Sequence, residues 1–323
     1  MTTAARQISI DAIREAARWV YRAAIRTPLV RVDIPGAPDG LDLYLKLEVL
    51  QPVGSFKIRG AANVVRQLSP SDVADGVWTV SAGNAALGVA YAARQAGIPC
   101  SVMVVDTAPA AKVDAINRLG AFIVRVTYDE AWQTVERHAS GRMRGYFIHP
   151  FDDDRFIAGN ATMALEILDD LPGVDAIVGS VGGGGLLSGV VSTVNALRPR
   201  TRVFAAEPET AAPLAASLAA GRPVYFDGWR ASFVDGAGGK SVLETMWPLL
   251  RQVAGSIVVP LDDVARAIRR VAEHAHVIAE GAAGCAVAAA FSGRAGTGTV
   301  VAIVSGGNID LSRFFEILTS SDS

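Results

Sequence analysis

Short β-branched runs alternate with alanine-rich stretches of helical length along most of this chain, and that rhythm leaves few folds open. Gly76 to Val80 (GVWTV), Ser101 to Val105 and Phe122 to Val126 read as strands, separated by helical stretches at Ala86 to Ala96 and Ala108 to Leu119. After Pro150 the rhythm resumes, with a helix at Ala158 to Leu171, a strand at Ala176 to Gly179, a helix at Leu186 to Leu197 and a strand at Arg202 to Ala206. A last unit passes through helices at Leu261 to His276 and Ala282 to Phe291 into a strand at Thr299 to Val304. Parallel strands need a crossover long enough to hold a helix, so this repetition predicts α/β architecture with helices on both sheet faces. Two such series, divided near the polar stretch His149 to Asp154 (HPFDDD), predict two open-sheet lobes with a ligand cleft between them. The expected division is a large unit of residues 1–74 and 151–323, with a small unit of residues 75–150 inserted in it.

Composition supports buried layers. Of the 323 residues, 50% are apolar and 19% charged, which excludes disorder over most of the chain. The formal charge is −2, and no basic block is long enough to neutralise a row of phosphates, so nucleic acid is not an expected partner. No apolar run approaches the ~20 residues a membrane span requires, and Gly281 to Phe291 is too short and too rich in small residues. The N-terminal stretch carries Asp11 and Glu15 and reads as a capped amphipathic helix, not a signal peptide. Cys100 and Cys285 lie far apart in apolar runs, which argues against a disulfide framework and for a reduced, cytoplasmic setting. Disorder is expected only in the first few residues and in the tail Thr319 to Ser323.

Four segments carry chemistry. Gly182, Gly183, Gly184 and Gly185 stand directly between a strand and a helix, where bare backbone N–H groups and the helix dipole suit a phosphate. The same residues approximate a dinucleotide fingerprint, Gly183-x-Gly185-x-x-Ser188, with Glu207 about 20 residues on where a ribose-binding acid would sit. That nicotinamide reading stays open at this point, although Ser188 replaces the third glycine. Lys57 lies just inside a predicted helix, after a Pro52/Gly54 turn and Ser55 as the expected N-cap; the dipole and burial would hold its amine neutral, fit for a Schiff base and then for proton abstraction. Ser81 to Ala86 (SAGNAA) links a strand to a helix, offering amides and the Asn84 side chain to a carboxylate and a phenolic oxygen. Ser305-Gly306-Gly307-Asn308 closes the last strand and sets the Ser305 hydroxyl at the carboxyl end of the sheet.

Together SFKIRGA, SAGN, GGGGL and SGGN, in this order and spacing, strongly resemble the fold-type-II pyridoxal-phosphate enzymes of the serine/threonine dehydratase group, whose fold is like that of the tryptophan synthase β chain. The resemblance runs from Thr27-Pro28-Leu29 to Asn308. It implies pyridoxal 5′-phosphate in the cleft, bound covalently to Lys57, with Phe56 against the ring and Asn84 on the 3-oxygen. Gly182 to Gly185 and the Leu186 amide would hold the phosphate, and Ser305 would face the ring nitrogen. The substrate carboxylate would lie on the loop of Ser81, Ala82, Asn84 and Ala85. The implied reaction is loss of water from a β-hydroxy amino acid to give a 2-oxo acid and ammonia, with Lys57 as nucleophile and base and the cofactor phosphate protonating the leaving oxygen. β-Replacement in the manner of cysteine synthase is the alternative within the family, disfavoured because SFKIRG departs from the lysine segment of those enzymes. A homodimer is the family's usual state.

The departures are informative. Dehydratases of this group commonly read S-x-G-N-H-x-Q, where this chain has Ala85 and Leu87, so the substrate pocket is less polar. Serine and threonine are expected first, with 3-hydroxyaspartate or an aryl-serine as wider possibilities. Family racemases place a serine where Ala82 stands, and a methyl group cannot carry a proton, so poor racemisation is expected. Glu207 matches one ligand of a family cation site, but the second falls at Pro213, so no metal is expected and a capping or ion-paired role suits Glu207 better. His138, His149, His274 and His276 show no metal spacing. Arg59 reads either as a balance for phosphate or substrate charge or as a solvated helix residue. The chain stops soon after SGGNID, without room for an effector-binding domain, so inhibition by isoleucine is not expected.

Overall fold

The computed structural model describes residues 6–108 and 110–320. Ten strands form two sheets: β1 (Leu29–Val32), β2 (Leu41–Leu47), β3 (Val77–Val80), β4 (Cys100–Val105), β5 (Phe122–Val126), β6 (Tyr146–Phe147), β7 (Ala176–Ser180), β8 (Arg202–Pro208), β9 (Gly255–Val259) and β10 (Gly298–Val304). The larger sheet has the order β1-β2-β10-β7-β8-β9 and the smaller β5-β4-β3-β6. Every pairing is parallel except that of β1 with β2. The mixed α/β class with two open sheets is the one the strand-helix rhythm predicts.

Among the described residues twelve α-helices connect and cover the strands: α1 (Ile10–Ala17), α2 (Lys57–Val65), α3 (Asn84–Gln95), α4 (Ala110–Asn117), α5 (Tyr128–Arg137), α6 (Asp154–Asp170), α7 (Gly185–Leu197), α8 (Pro213–Ala220), α9 (Trp247–Leu250), α10 (Leu261–Ala275), α11 (Gly281–Phe291) and α12 (Leu311–Thr319). The N-terminal helix forms as expected, with the Ser9 hydroxyl accepting from the Ala12 amide. Helix α6 begins four residues before the apolar pattern does, because Asp153 caps it by accepting from Arg155 and Phe156 N–H. The N-terminal residues 1–5 and the end of the Ser-Asp tail, 321–323, lie outside the described residues, while Thr319 closes α12.

Strand periodicity splits the large core in two. On β10, Val301 and Ile303 join one apolar cluster with β7 Ile177 and the helices α6 and α7. Val300, Ala302 and Val304 face the other way, with β7 Val178 and the alanines of α11. Both faces are therefore covered, which is why these strands read as unbroken apolar runs. Two glycines set the spacing around the helix that begins at Lys57. A Cβ on Gly159 of α6 would stand 2.4 Å from the Arg59 carbonyl oxygen, and one on Gly88 of α3 would stand 3.0 Å from the Lys57 carbonyl. Only glycine lets α3 and α6 close on α2 from two sides, and this clamps the start of α2. Among the described residues, no helix is long and apolar enough to cross a membrane.

Candidate active site

The carboxyl ends of β10, β7 and β3 open on one cavity of about 580 Å³, lined by segments from both sheets. Phe56 and Lys57, the loop Ser81 to Ala85, Gly182 to Leu186 and Ser305 all line it, so the residues that the resemblance assigns to cofactor and substrate meet here. Hydrogen bonds explain how. Phe56 N–H donates to the Ser305 carbonyl at 3.0 Å and Gly307 N–H to the Gly54 carbonyl at 2.9 Å, zipping the turn before α2 to the end of β10. The Asn308 amide nitrogen donates to Val53 O at 2.8 Å and to Asn84 Oδ1 at 2.7 Å, tying the Asn84 loop to these two segments.

Lys57 borders the cavity with its stem, and its Nζ donates to the Pro150 carbonyl at 2.6 Å. Burial pushes this amine down to about 8, against the smaller opposing pull of the Glu280 carboxylate. Ser55 does not cap the helix. Its hydroxyl is buried without a partner, and the N-cap position falls to Phe56, whose helical backbone makes no side-chain cap bond. The bridge between Ser55 and Gly306 turns residue 55 toward β10, away from the first-turn amides.

The glycine bend meets the cavity with donors and meets the protein with its missing side chains. Among the described residues, none of the N–H groups from Gly182 to Leu186 donates to a protein acceptor. They lead into and begin a thirteen-residue helix that starts at Gly185, so their free hydrogens and its dipole favour an anion. A Cβ at Gly183 would stand 2.2 Å from the Phe151 ring, and one at Gly184 would stand 2.6 Å from Leu250 in a left-handed conformation, φ +94°. Glycine is thus demanded by packing behind the bend as well as by access in front of it.

Sequence reasoning missed Glu280. Its carboxylate accepts from Asn84 Nδ2 at 2.7 Å, and burial, with the nearby Asp235 charge, pushes its pKa up to about 7. Since Asn84 Oδ1 accepts from Asn308, the Asn84 amide is fixed with one hydrogen left to give. The only hint in the sequence was a single acid directly before the Gly/Ala run of α11.

Other readings change. Arg59 neither balances a ligand nor faces solvent: it is fully buried and bonds Glu48 at 2.8 Å and Glu166 at 2.6 Å, beside the buried Lys46 to Glu166 pair. Glu207 has both oxygens engaged, accepting at 2.8 Å from the Leu214 and Ala215 amides and at 2.6 Å from Ser256, so it caps α8. It is fully buried and does not line the cavity, so it cannot reach a ribose there, which removes the support for a nicotinamide site. His138, His149 and Asp152 draw together, but His149 Nδ1 accepts from the Phe151 and Asp152 amides and Asp152 pairs with Arg6 at 2.5 Å. The cluster fastens the loop that carries Pro150 O.

The comparisons agree with this geometry. The family described as "Pyridoxal-phosphate dependent enzyme" matches residues 20–306. An L-threonine ammonia-lyase of Thermotoga maritima is 37% identical over 315 residues, covering 96% of this chain and 78% of that one. Human serine racemase is 37% identical over 295 residues, covering 88% of this chain and 86% of its own. The structure of maize serine racemase superposes with a TM-score of 0.87 at 32% identity, covering 97% of each chain.

Proposed function

This chain belongs to the family of pyridoxal-phosphate-dependent enzymes, and from that premise we propose that it is a lyase removing water from a β-hydroxy amino acid, with a 2-oxo acid and ammonia as products. One observation carries the reading: an amine held down to about 8 shares a cavity with a run of unused amide donors. The amine suits an aldehyde and the donors suit a phosphate. Bound there, pyridoxal phosphate would supply an electrophilic carbon for amines and a ring that spreads the negative charge left when Cα loses its proton.

The protein's own groups do the rest. Lys57 Nζ would hold the aldehyde and, when free of it, would accept the Cα proton; its lowered pKa keeps a useful neutral fraction near pH 7. The amides of Gly182, Gly183, Gly184, Gly185 and Leu186 would hold the phosphate. Asn84 would give its remaining hydrogen to the 3-oxygen, and Phe56 would pack against the ring. Ser305, a hydroxyl in place of a carboxylate, would face the ring nitrogen without protonating it. Ser81, Ala82, Asn84 and Ala85 receive the substrate carboxylate. Residues 1–74 with 151–323 act as the large domain and residues 75–150 as the small one, the two sheets supplying opposite walls of the cavity.

Two further points belong to this reading. The stripe Leu311, Phe315 and Leu318 on α12 stands exposed at helical spacing, which supports a homodimer. Both thiols are free and buried, which supports a cytoplasmic setting. A near-visible absorption band in the purified protein, removed by borohydride and absent in Lys57→Ala, with ammonia and 2-oxo acid released in equal amounts, is the expected result. A Lys57→Ala variant that keeps both the band and the turnover overturns the proposal.

A further inference from the structure

Beside Ser81, Asn84 and Lys112, the wall of the cavity contributed by the smaller sheet's segments carries an apolar patch. Ala85 is the second residue of α3, Ala111 and Ala115 lie one turn apart on α4, and Trp132 and Val135 lie three apart on α5. Phe151 continues the surface, and it joins the apolar cluster that holds Val135. Trp132 has one polar atom, and its Nε1 already donates to Glu136 Oε1 at 2.8 Å, so its ring offers the cavity only apolar surface.

The charges that line the cavity are paired with one another or with neighbouring lining groups. Lys112 is paired with Asp235, Glu280 holds Asn84, and Lys57 Nζ is taken by Pro150 O and by the chemistry. The remaining charged lining residue, Asp310, is an anion. Among the described lining residues, a second substrate carboxylate would have to draw Lys112 away from Asp235 to find a cation, and a small side chain would leave the apolar patch facing water.

We propose that the preferred substrate carries an aromatic ring on Cβ, a 3-aryl-serine, in preference to serine, threonine or a hydroxylated dicarboxylic amino acid. The inference rests on the reading of the chain as a β-eliminating lyase. The Cα–H pair becomes the Cα=Cβ bond, the proton passes to Lys57 Nζ, and the Cβ hydroxyl takes a proton and departs as water. Tautomerisation and uptake of one water then release an arylpyruvate and ammonia, with no oxidant or reductant involved.

The test uses the holoenzyme in two arms. L-Phenylalanine, L-alanine and L-aspartate lack the β-hydroxyl, so titrating the near-visible band with each reads binding alone. Phenylalanine is expected to bind at least about tenfold more tightly than either of the others, the discrimination an apolar pocket gives for added carbon. In the second arm, kcat/KM for release of 2-oxo acid from both diastereomers of 3-phenylserine is expected to exceed that from threonine and from 3-hydroxyaspartate by about tenfold or more. Trp132→Arg, with Ala115→Arg as a second variant, should lower the ratio of phenylalanine to aspartate affinity while the cofactor band stays. Equal or tighter binding of alanine or aspartate, or threonine turned over as well as phenylserine, overturns the aryl preference and leaves the lyase intact. Ammonia from none of these substrates overturns the lyase, and the binding arm still decides the side chain.

Discussion

The amine of Lys57 makes a quantitative prediction about cofactor uptake. Only a neutral amine attacks an aldehyde, so the rate at which the cofactor-free protein captures pyridoxal phosphate should follow the neutral fraction of Lys57. With a pKa of about 8, roughly 9% is neutral at pH 7, against about 0.03% for a lysine at its ordinary value. That is about a 300-fold advantage at pH 7, and it sets the expected shape: about a tenfold rise per pH unit below 8, then a plateau. Stopped-flow absorbance in the near-visible, with cofactor in excess and the pH varied from 6 to 10, measures it. Glu280 supplies a sharper version. Its carboxylate favours the charged ammonium, so Glu280→Gln should move the midpoint to lower pH and quicken capture near neutrality. A wild-type midpoint above 10, or a Glu280→Gln midpoint displaced upward, would refute the assignment of burial and the Glu280 charge as opposing causes.

Three shorter predictions follow from the surroundings. Arg59→Ala leaves Glu48 and Glu166 facing Lys46 alone in a dry interior, which should cost about 3–5 kcal/mol and lower the Tm by about 4–7 °C by calorimetry. An unchanged Tm would mean that the network contributes nothing net. Gly184→Ala forces a side chain into a left-handed backbone conformation against Leu250, so cofactor affinity should fall about tenfold in equilibrium dialysis, an effect of about 1.4 kcal/mol. With a methyl at Ala82, chiral chromatography should find racemisation slower than ammonia release, and Ala82→Ser should raise that ratio; a wild-type enzyme that racemises faster than it eliminates contradicts the reading.

Local signals and long-range ones fared differently in this chain. The four-glycine bend was legible because a strand, a bend and a helix announce themselves within a few residues, and the free amides of Gly182 to Leu186 follow from helix geometry. Why those glycines are glycines was only half legible, since the atoms that exclude a Cβ belong to Phe151 and Leu250. Ser55 looked like a cap by its spacing, but its backbone was claimed by Gly306, 251 positions later in the chain. Arg59 failed the same way: its partner Glu166 lies 107 residues on, so nothing near it revealed a buried ion network.

Periodicity and turn chemistry were enough to determine the α/β class and the cleft at the strand ends, because each rests on interactions spanning a few residues, and the order of four short motifs was enough to single out Lys57 as the candidate amine. The tertiary structure alone decided which charges are spoken for: Glu280 on Asn84, Glu207 on α8, Lys112 on Asp235, Arg59 on Glu48 and Glu166. Electrostatic and hydrogen-bond energies depend on distance in space and on the exclusion of water, and neither quantity is written in the order of the residues.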